Sequence, residues 1–298
     1  MKFFTSLVSL LVFTLTGSLS QAAVDGARIE AITGLKGMLN ESEGVFKITS
    51  PRSDINVTVD GWAMPPFMGL TSWAAFTEGK KAPLMVMGDL VLMQDEVNPV
   101  MSAALAAGLS VTALHNHFFY DEPKVYFMHI AGEGDLAKLA SGVKAALETV
   151  KTIRSGQAQL AKGFGPPLAQ GSSRITGAEI DGILGSKGQA KDGMFKVVIG
   201  RKATMECGCE AGKEMGINTW AAFAGADNDA LVDGDFVVIE SELQPVLKSL
   251  RQDDINVVAI HHHMTGEAPR YLFVHYWGRG SVAKLTQALK NALAQTAR

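Results

Sequence analysis

Ala113-Leu114-His115-Asn116-His117, followed after a short turn by Val125-Tyr126-Phe127-Met128-His129, is written again 146 positions later. The second copy reads Ala259-Ile260-His261-His262-His263 and Tyr271-Leu272-Phe273-Val274-His275, and the two copies hold all seven histidines of the chain. Runs rich in Val, Ile, Tyr and Phe on either side of a turn predict a β-hairpin in each copy. Residues i and i+2 of a strand share a face, so His115 and His117 project together and Asn116 points away. A hairpin closing near Glu122 pairs residues whose numbers sum to about 244, which sets His129 opposite His115 with Cβ atoms roughly 5 Å apart. His261, His263 and His275 converge by the same count, with His262 on the opposite face. A one-residue slip would turn His129 away from the others.

Three imidazoles on one face suit a d-block cation. Neutral imidazole nitrogens reach zinc at about 2.0–2.1 Å, and three protein ligands leave a coordination position for water. Such a water is brought to a pKa near 7, the chemistry of metal-assisted hydrolysis. Glu96 and Glu242, each a few residues before a helical stretch, are the candidate fourth ligand or base. Their competing reading is an acid set against the positive end of a helix. Asp121 and Glu267, in the hairpin turns, are alternative acids, although they read first as turn residues. A hydrogen-bonded His cluster that only builds the fold, or a metal-free ligand pocket, competes with the metal reading.

The repeat extends outward from the hairpins. Gly26-Ala27-Arg28-Ile29 opens the first copy and Gly177-Ala178-Glu179-Ile180 the second, and Gly34-Leu35-Lys36-Gly37 is echoed by Gly185-Ser186-Lys187-Gly188. Val45 to Ile48 and Ile55 to Val59 alternate as strands do. Met68 to Phe76 matches Met215 to Phe223, with Trp73, Phe76, Trp220 and Phe223 read as core anchors. Long strands are predicted over Leu84–Met93 and Leu231–Ile239, with Asp89 and Asp235, each after a glycine, marking a bulge or bend. Helices are predicted over 99–107 and 245–251, with Pro99 and Pro245 in the first turn. Amphipathic helices over 135–150 and 281–294 close the copies. The order β-α-β-β-α predicts an α+β fold: two tandem ferredoxin-like repeats, each an antiparallel sheet with helices on one face, packed as a pseudo-symmetric pair.

Length, 298 residues, allows one large or two ordinary domains. The expected division is a signal peptide over 1–22, a first repeat over 26–150, a Gly/Pro/Ser-rich linker over 151–176 and a second repeat over 177–298. Lys2, the apolar run Phe3 to Leu15 and Ser20-Gln21-Ala22 carry the secretory reading, and the run is too short to span a bilayer. Export to the periplasm or the medium follows, without a stable membrane anchor after cleavage. The mature chain carries 26 Lys and Arg against 30 Asp and Glu, a net −4 without a basic cluster, which argues against nucleic acid as partner. Cys207 and Cys209 form a lone C-x-C, open to a tight disulfide, reduced thiols or a soft-metal contact.

With these residues laid out, the chain resembles the LppY/LpqO family of exported bacterial proteins, a domain of unknown function, over nearly all of the mature length. The resemblance is carried by Met68-Gly69 through Phe76, Met87-Gly88-Asp89, Glu96, Asn98-Pro99, Leu114 to His117 and Glu122 to His129. The second copy adds Trp220 to Phe223, Gly234-Asp235, Glu242, Pro245, His261, His263, Pro269 and His275. It implies export and the repeat, and it implies no reaction; the lipid-attachment Cys of family lipoproteins is missing here, and His262 replaces Asn116.

The leading expectation is an exported tandem-repeat protein binding transition metal at His115/His117/His129 and at His261/His263/His275. Zinc is the first choice by frequency, with copper or iron behind it. As an enzyme it would be a metal-dependent hydrolase of a small or cell-envelope substrate. The alternative is a non-catalytic periplasmic module that binds metal or ligand, and a homo-oligomer is left open.

Overall fold

In a computed structural model, described over residues 24–157, 159–164 and 173–297, each copy runs helix, four strands, helix, two strands, helix, counting the strands of the main sheet and leaving aside short two-residue strands in the loops. The first holds α1 (Gly26–Thr33), β1 (Gly37–Asn40), β2 (Val45–Pro51), β3 (Thr71–Glu78), β4 (Leu84–Met93), α2 (Gln94–Ala106), β5 (Ser110–His115), β6 (Val125–Gly134) and α3 (Leu136–Gly156). The second repeats it as α4 (Gly177–Leu184), β7 (Gln189–Lys191), β8 (Met194–Gly200), β9 (Asn218–Ala226), β10 (Asp229–Ile239), α5 (Glu240–Gln252), β11 (Asn256–His261), β12 (Tyr271–Gly280) and α6 (Val282–Leu293). The expected signal peptide lies outside the described residues. No helix among those described is long and apolar enough to cross a membrane.

The twelve strands form one antiparallel sheet in the order β1-β2-β3-β4-β6-β5-β11-β12-β10-β9-β8-β7, which reads the same from either end. The fold is α+β, with six α-helices among the described residues set against this sheet. Each half is six strands wide, broader than the ferredoxin-like repeat the sequence suggests, because β1 to β3 extend the β4-β6-β5 group on its far side.

Residue alternation fixes the two faces. Leu84, Val86 and Leu90 of β4 and Met128 and Ile130 of β6 point into the large core beneath the helices, with Val111 and Leu114 of β5. The same strands become apolar on both faces toward their ends, where loops fold over the outer surface. There Val57, Leu70, Val91, Met93, Val125 and Phe127 form a small cluster, and Ala203, Ala211, Ile217, Val237, Tyr271 and Phe273 form its counterpart. The histidines lie on this outer face, next to the loop-covered clusters.

The halves meet at β5 and β11, whose paired residues are Leu114 and Ile260. Beyond that point side chains take over the strand edges. Asn98 of α2 donates to Val257 O at 3.2 Å and accepts from Val257 N at 2.8 Å. Gln244 of α5 does the same for Val111, at 2.7 and 3.0 Å. Each copy therefore satisfies an otherwise open peptide group of the other, and the pairing is reciprocal.

Several local expectations change. The helices α2 and α5 start directly after the strands, five residues before Pro99 and Pro245, so each proline sits in the second turn. Their polar first turns hid the start from a hydrophobic-period reading. Helix α3 continues to Gly156, into the stretch read as linker, and Arg154 in that extension reaches Asp95 and Glu96. Ile55 to Val59 is mostly loop, with a strand only over Thr58–Val59. Asp89 and Asp235 mark no bulge; the β4–β6 and β10–β12 ladders run through them without a break.

Candidate metal site

The hairpin register differs from the sequence count by two residues. His115 pairs with Phe127 and His129 with Ala113, with a shift between Val111 and Ala113. The two-residue offset lies on the turn side of that shift, and the bulge moves the ladder by one further residue only beyond the histidines. A shift of two preserves the face, so the three histidines still converge, with His129 diagonal to His115. On its other side His129 faces Asp89. The second copy repeats the pattern, with His261 against Phe273 and His275 between Ala259 and Asp235.

The rings fix one another. His115 and His129 stack with centroids 5.1 Å apart, His115 and His117 at 5.2 Å, and His117 lies flat on Phe127 at 3.3 Å. In the second copy His261 and His275 stack at 4.8 Å, and His263 lies on Phe273 at 3.5 Å. Phe127 and Phe273 are core residues of the small outer clusters, so the strand ends seat His117 and His263 although both lie beyond the strands. Asn116 donates to Val125 O at 3.1 Å, and His262 Nδ1 lies 3.1 Å from Tyr271 O. His262 thus stands at the same backbone contact as Asn116 and points away from the cluster.

The second copy is the more compact. His263 Nε2 lies 3.1 Å from His261 Nε2 and 3.3 Å from Asp235 Oδ2, and His275 Nε2 lies 3.9 Å from the same oxygen. Asp235, His261 and His263 each offer a donor atom within 4.8 Å of the others, a grouping able to hold a metal ion. Asp235 Oδ1 and His261 Nδ1 are buried without a hydrogen-bond partner, as is Asp89 Oδ1 in the first copy. Burial raises the Asp235 carboxyl above its ordinary pKa, against the pull of His275 and His263. Burial, aided by repulsion from His275 and His263, lowers His261 to about 4. Burial and the neighbouring His115 also lower His117. Neutral imidazole is the metal-binding form, so His261 keeps its lone pairs at pH values where a free imidazole is protonated.

Glu96 and Glu242 are elsewhere. Glu96 is fully buried; its oxygens lie 2.7 and 2.9 Å from Arg52, 2.9 Å from Arg154 Nε and 2.8 Å from the Met93 N–H. Glu242 is held by Arg201 at 2.5 and 3.2 Å and by the N–H groups of Ile239 and Ala297. Burial pushes the Glu242 carboxyl up, but these donors outweigh it and hold it below its ordinary value. Glu96 follows Asp89 by seven residues and starts a helix, and its lone pairs are spent on guanidinium groups. The structure therefore gives these two acids to the fold and brings Asp89 and Asp235 to the histidines instead. Asp121 and Glu267 hold their turns, accepting from Val125 N and Tyr271 N at 2.8 and 2.9 Å.

The sequence alone does not mark the two aspartates, because a carboxylate after glycine on a strand reads as an irregularity. A better signal was available: an acid at the same buried-strand position in both copies. The glycines before them have a separate cause. A Cβ on Gly234 would meet Tyr276 Oη at 2.1 Å, where that hydroxyl crosses to donate to Trp220 O. Phe76 and Phe223 are core anchors as expected. Trp73 and Trp220 are not; they are half-buried on the outer face, under Lys47 and Lys196 at 4.4 and 4.1 Å from the ring centroids. Cys207 and Cys209 form a disulfide in an exposed loop.

Fold and site together define a class: a two-copy α+β protein whose halves each aim three histidines and an aspartate at one face of a shared sheet. The signature of the Domain of Unknown Function (DUF1259) matches residues 27–149 and again 178–295, and the chain belongs to that family, carrying the domain twice. No curated protein matches the chain. Among solved structures, it is similar to a trimeric bacterial microcompartment shell protein PduB, at 12% identity over 87% of this chain and 89% of that one, with a TM-score of 0.23. At that score the likeness carries no argument.

Proposed function

We propose that the protein is an exported metal-binding protein, with a transition metal held in the second copy by Asp235, His261 and His263, beside His275. Two imidazoles and a carboxylate are a nitrogen/oxygen donor set that suits zinc or iron, and zinc is the first choice. The observation that carries the reading is His263 Nε2 within 3.1 Å of His261 Nε2 and 3.3 Å of Asp235 Oδ2. Three facing donors of this kind, two of them on residues with an unpaired buried atom, fit a cation better than they fit one another. Asp89, His115, His117 and His129 form a looser second site. Export to the periplasm or the medium rests on the N-terminal sequence, and kinship with LppY/LpqO proteins on the motifs shared with them. Each half is read as a permuted ferredoxin-like unit in which β3 fills the edge beside β4.

Metal-assisted hydrolysis is the reaction class that this donor set favours. A bound metal would supply Lewis acidity and an acidified water. The chain's own part is to seat His263 on Phe273, keep His261 neutral, and present Asp235 as the carboxylate of the site. Asp235 replaces Glu96 and Glu242 in that role. A non-catalytic carrier built on the same residues is the second reading, favoured by the exposed setting of His263.

Elemental analysis of tag-free protein, beside His263→Ala and His117→Ala, tests the reading. One tight equivalent lost in His263→Ala, and a weaker one lost in His117→Ala, is the expected result. No metal retained after exposure to zinc, copper and iron salts would sink it.

A further inference from the structure

Beside His263 the outer face of the second copy opens into a cleft of about 470 Å³, within the range of small-molecule sites. Lys187, Lys196 and Lys213 line it with Asn218, Trp220 and His263, and Glu214 is the one acid of the lining. Lys187 is held by Asp181 at 3.0 Å, and Lys213 lies 3.9 Å from Glu214. Lys196 lies over the Trp220 ring at 4.1 Å and has no carboxylate partner among the described residues. A ring face engages the charge but leaves the ammonium protons free to donate. Lys196 is thus the cation of the cleft that no carboxylate among the described residues offsets, and the cleft shares His263, 3.3 Å from Asp235, with the proposed metal site.

The first copy lacks the full set. Lys36, Lys47 and Trp73 repeat, but Pro66 stands where Lys213 would, Thr71 where Asn218 would, and a fully exposed Phe67 where Glu214 would. Placement and charge are therefore particular to the second half.

We infer that this cleft binds a small anionic ligand, a phosphate or carboxylate group gripped by Lys196 and Lys213 and backed by Asn218, in reach of the metal held at His263. As a substrate class this rests on the metal reading; as a binding site it stands on the lysines alone. A lysine ammonium is a point charge that suits either oxyanion.

The test is calorimetric titration of the full chain, freed of metal by chelator, with inorganic phosphate and separately with succinate. Saturable binding of one equivalent of either probe is expected, weakened about tenfold or more by Lys196→Met or Lys213→Met and unchanged by Lys47→Met in the first copy. Response to phosphate alone assigns the group as phosphate, and response to succinate alone as carboxylate. Absence of saturable binding to both, or binding indifferent to Lys196→Met and Lys213→Met, overturns the inference. Zinc equivalents counted on the same preparations keep the two readings apart. Zinc uptake without anion binding overturns the cleft alone, whereas anion binding without zinc uptake overturns the metal reading and leaves the cleft standing.

Discussion

Replacing Glu96 by Gln asks whether that carboxylate serves the fold or the histidines. The residue is fully buried, Arg52 beside it is 5% exposed, and Arg154 9%. Glutamine keeps the volume and an acceptor for the Met93 N–H, but removes the charge between two guanidinium groups. Asp54 and Asp95 remain as their partners. Breaking a buried pair by removing one partner costs about 3–5 kcal/mol, and the remaining acids place this case at the lower end, about 3 kcal/mol. For chains of this order, 1 kcal/mol shifts Tm by about 2–4 °C, so Glu96→Gln is expected to melt roughly 6–12 °C below the parent. The assay is thermal unfolding followed by far-ultraviolet circular dichroism in chelator, so that bound metal adds nothing to stability. Bound-metal equivalents, measured separately, are expected to stay the same. A Tm within about 2 °C of the parent, joined to loss of metal, would refute the reasoning and return Glu96 to the site.

Four further outcomes follow from the same geometry. Asp235→Asn is expected to weaken metal binding in the second copy about tenfold or more while leaving the first copy's equivalent in place, read by competition with a chromophoric chelator. Asn98→Ala removes both bonds to Val257 and is expected to cost about 1–3 kcal/mol in urea unfolding; Gln244→Ala should cost a similar amount, and a cost near zero for both would mean that the junction needs neither. Gly234→Ala drives a methyl into Tyr276 Oη and the Trp220 carbonyl and is expected to lower stability by at least about 2 kcal/mol, seen as a lower urea midpoint. Acid destabilisation of the metal-free protein should carry a His261 component. With a folded pKa of about 4 against the ordinary 6.5, His261 stays neutral in the folded chain while the unfolded chain takes up a proton, so stability is lost as pH falls from about 6.5 toward 4. The ceiling is about 3 kcal/mol, and partial exposure reduces it to roughly half. Asp235, raised rather than lowered, acts in the opposite sense, so the comparison is between the parent and His261→Asn over that window.

What the sequence made legible followed from period and repetition. Strand β4 is legible at Leu84–Met93 because its alternation is strict until both faces become apolar. The shared face of the histidines survived a two-residue error in register because strand parity depends only on whether a shift is even or odd. What stayed hidden depends on contacts far apart in the chain. Nothing local tells that Glu96 will meet Arg52, 44 positions earlier, or that Asn98 will satisfy Val257, 159 positions later. Asp89 and Asp235 were visible as residues but not as neighbours of His129 and His275, since that pairing arises only once β4 and β10 lie beside β6 and β12.

The repeat itself bears on why the two sites differ. The backbone around them is nearly the same: Asn116 and His262 make the same contact, Asp121 and Glu267 hold equivalent turns, and Phe127 and Phe273 each carry a stacked histidine. The differences lie in the loops above the outer face. In the first copy those loops present Trp62, Phe67, Met68, Phe119 and Tyr120, all exposed. In the second they present Lys213 and Glu214, with Met215 as their one large exposed apolar side chain among the described residues, and carry the Cys207–Cys209 disulfide. A duplicated scaffold with one apolar rim and one charged rim meets two different surroundings with one donor set. The compact cluster lies beneath the charged rim, where an anion would be held close to a cation. An apolar rim offers an oxyanion no such hold. On this argument the second copy is the half that meets a polar ligand, and His263 is the residue on which both readings converge.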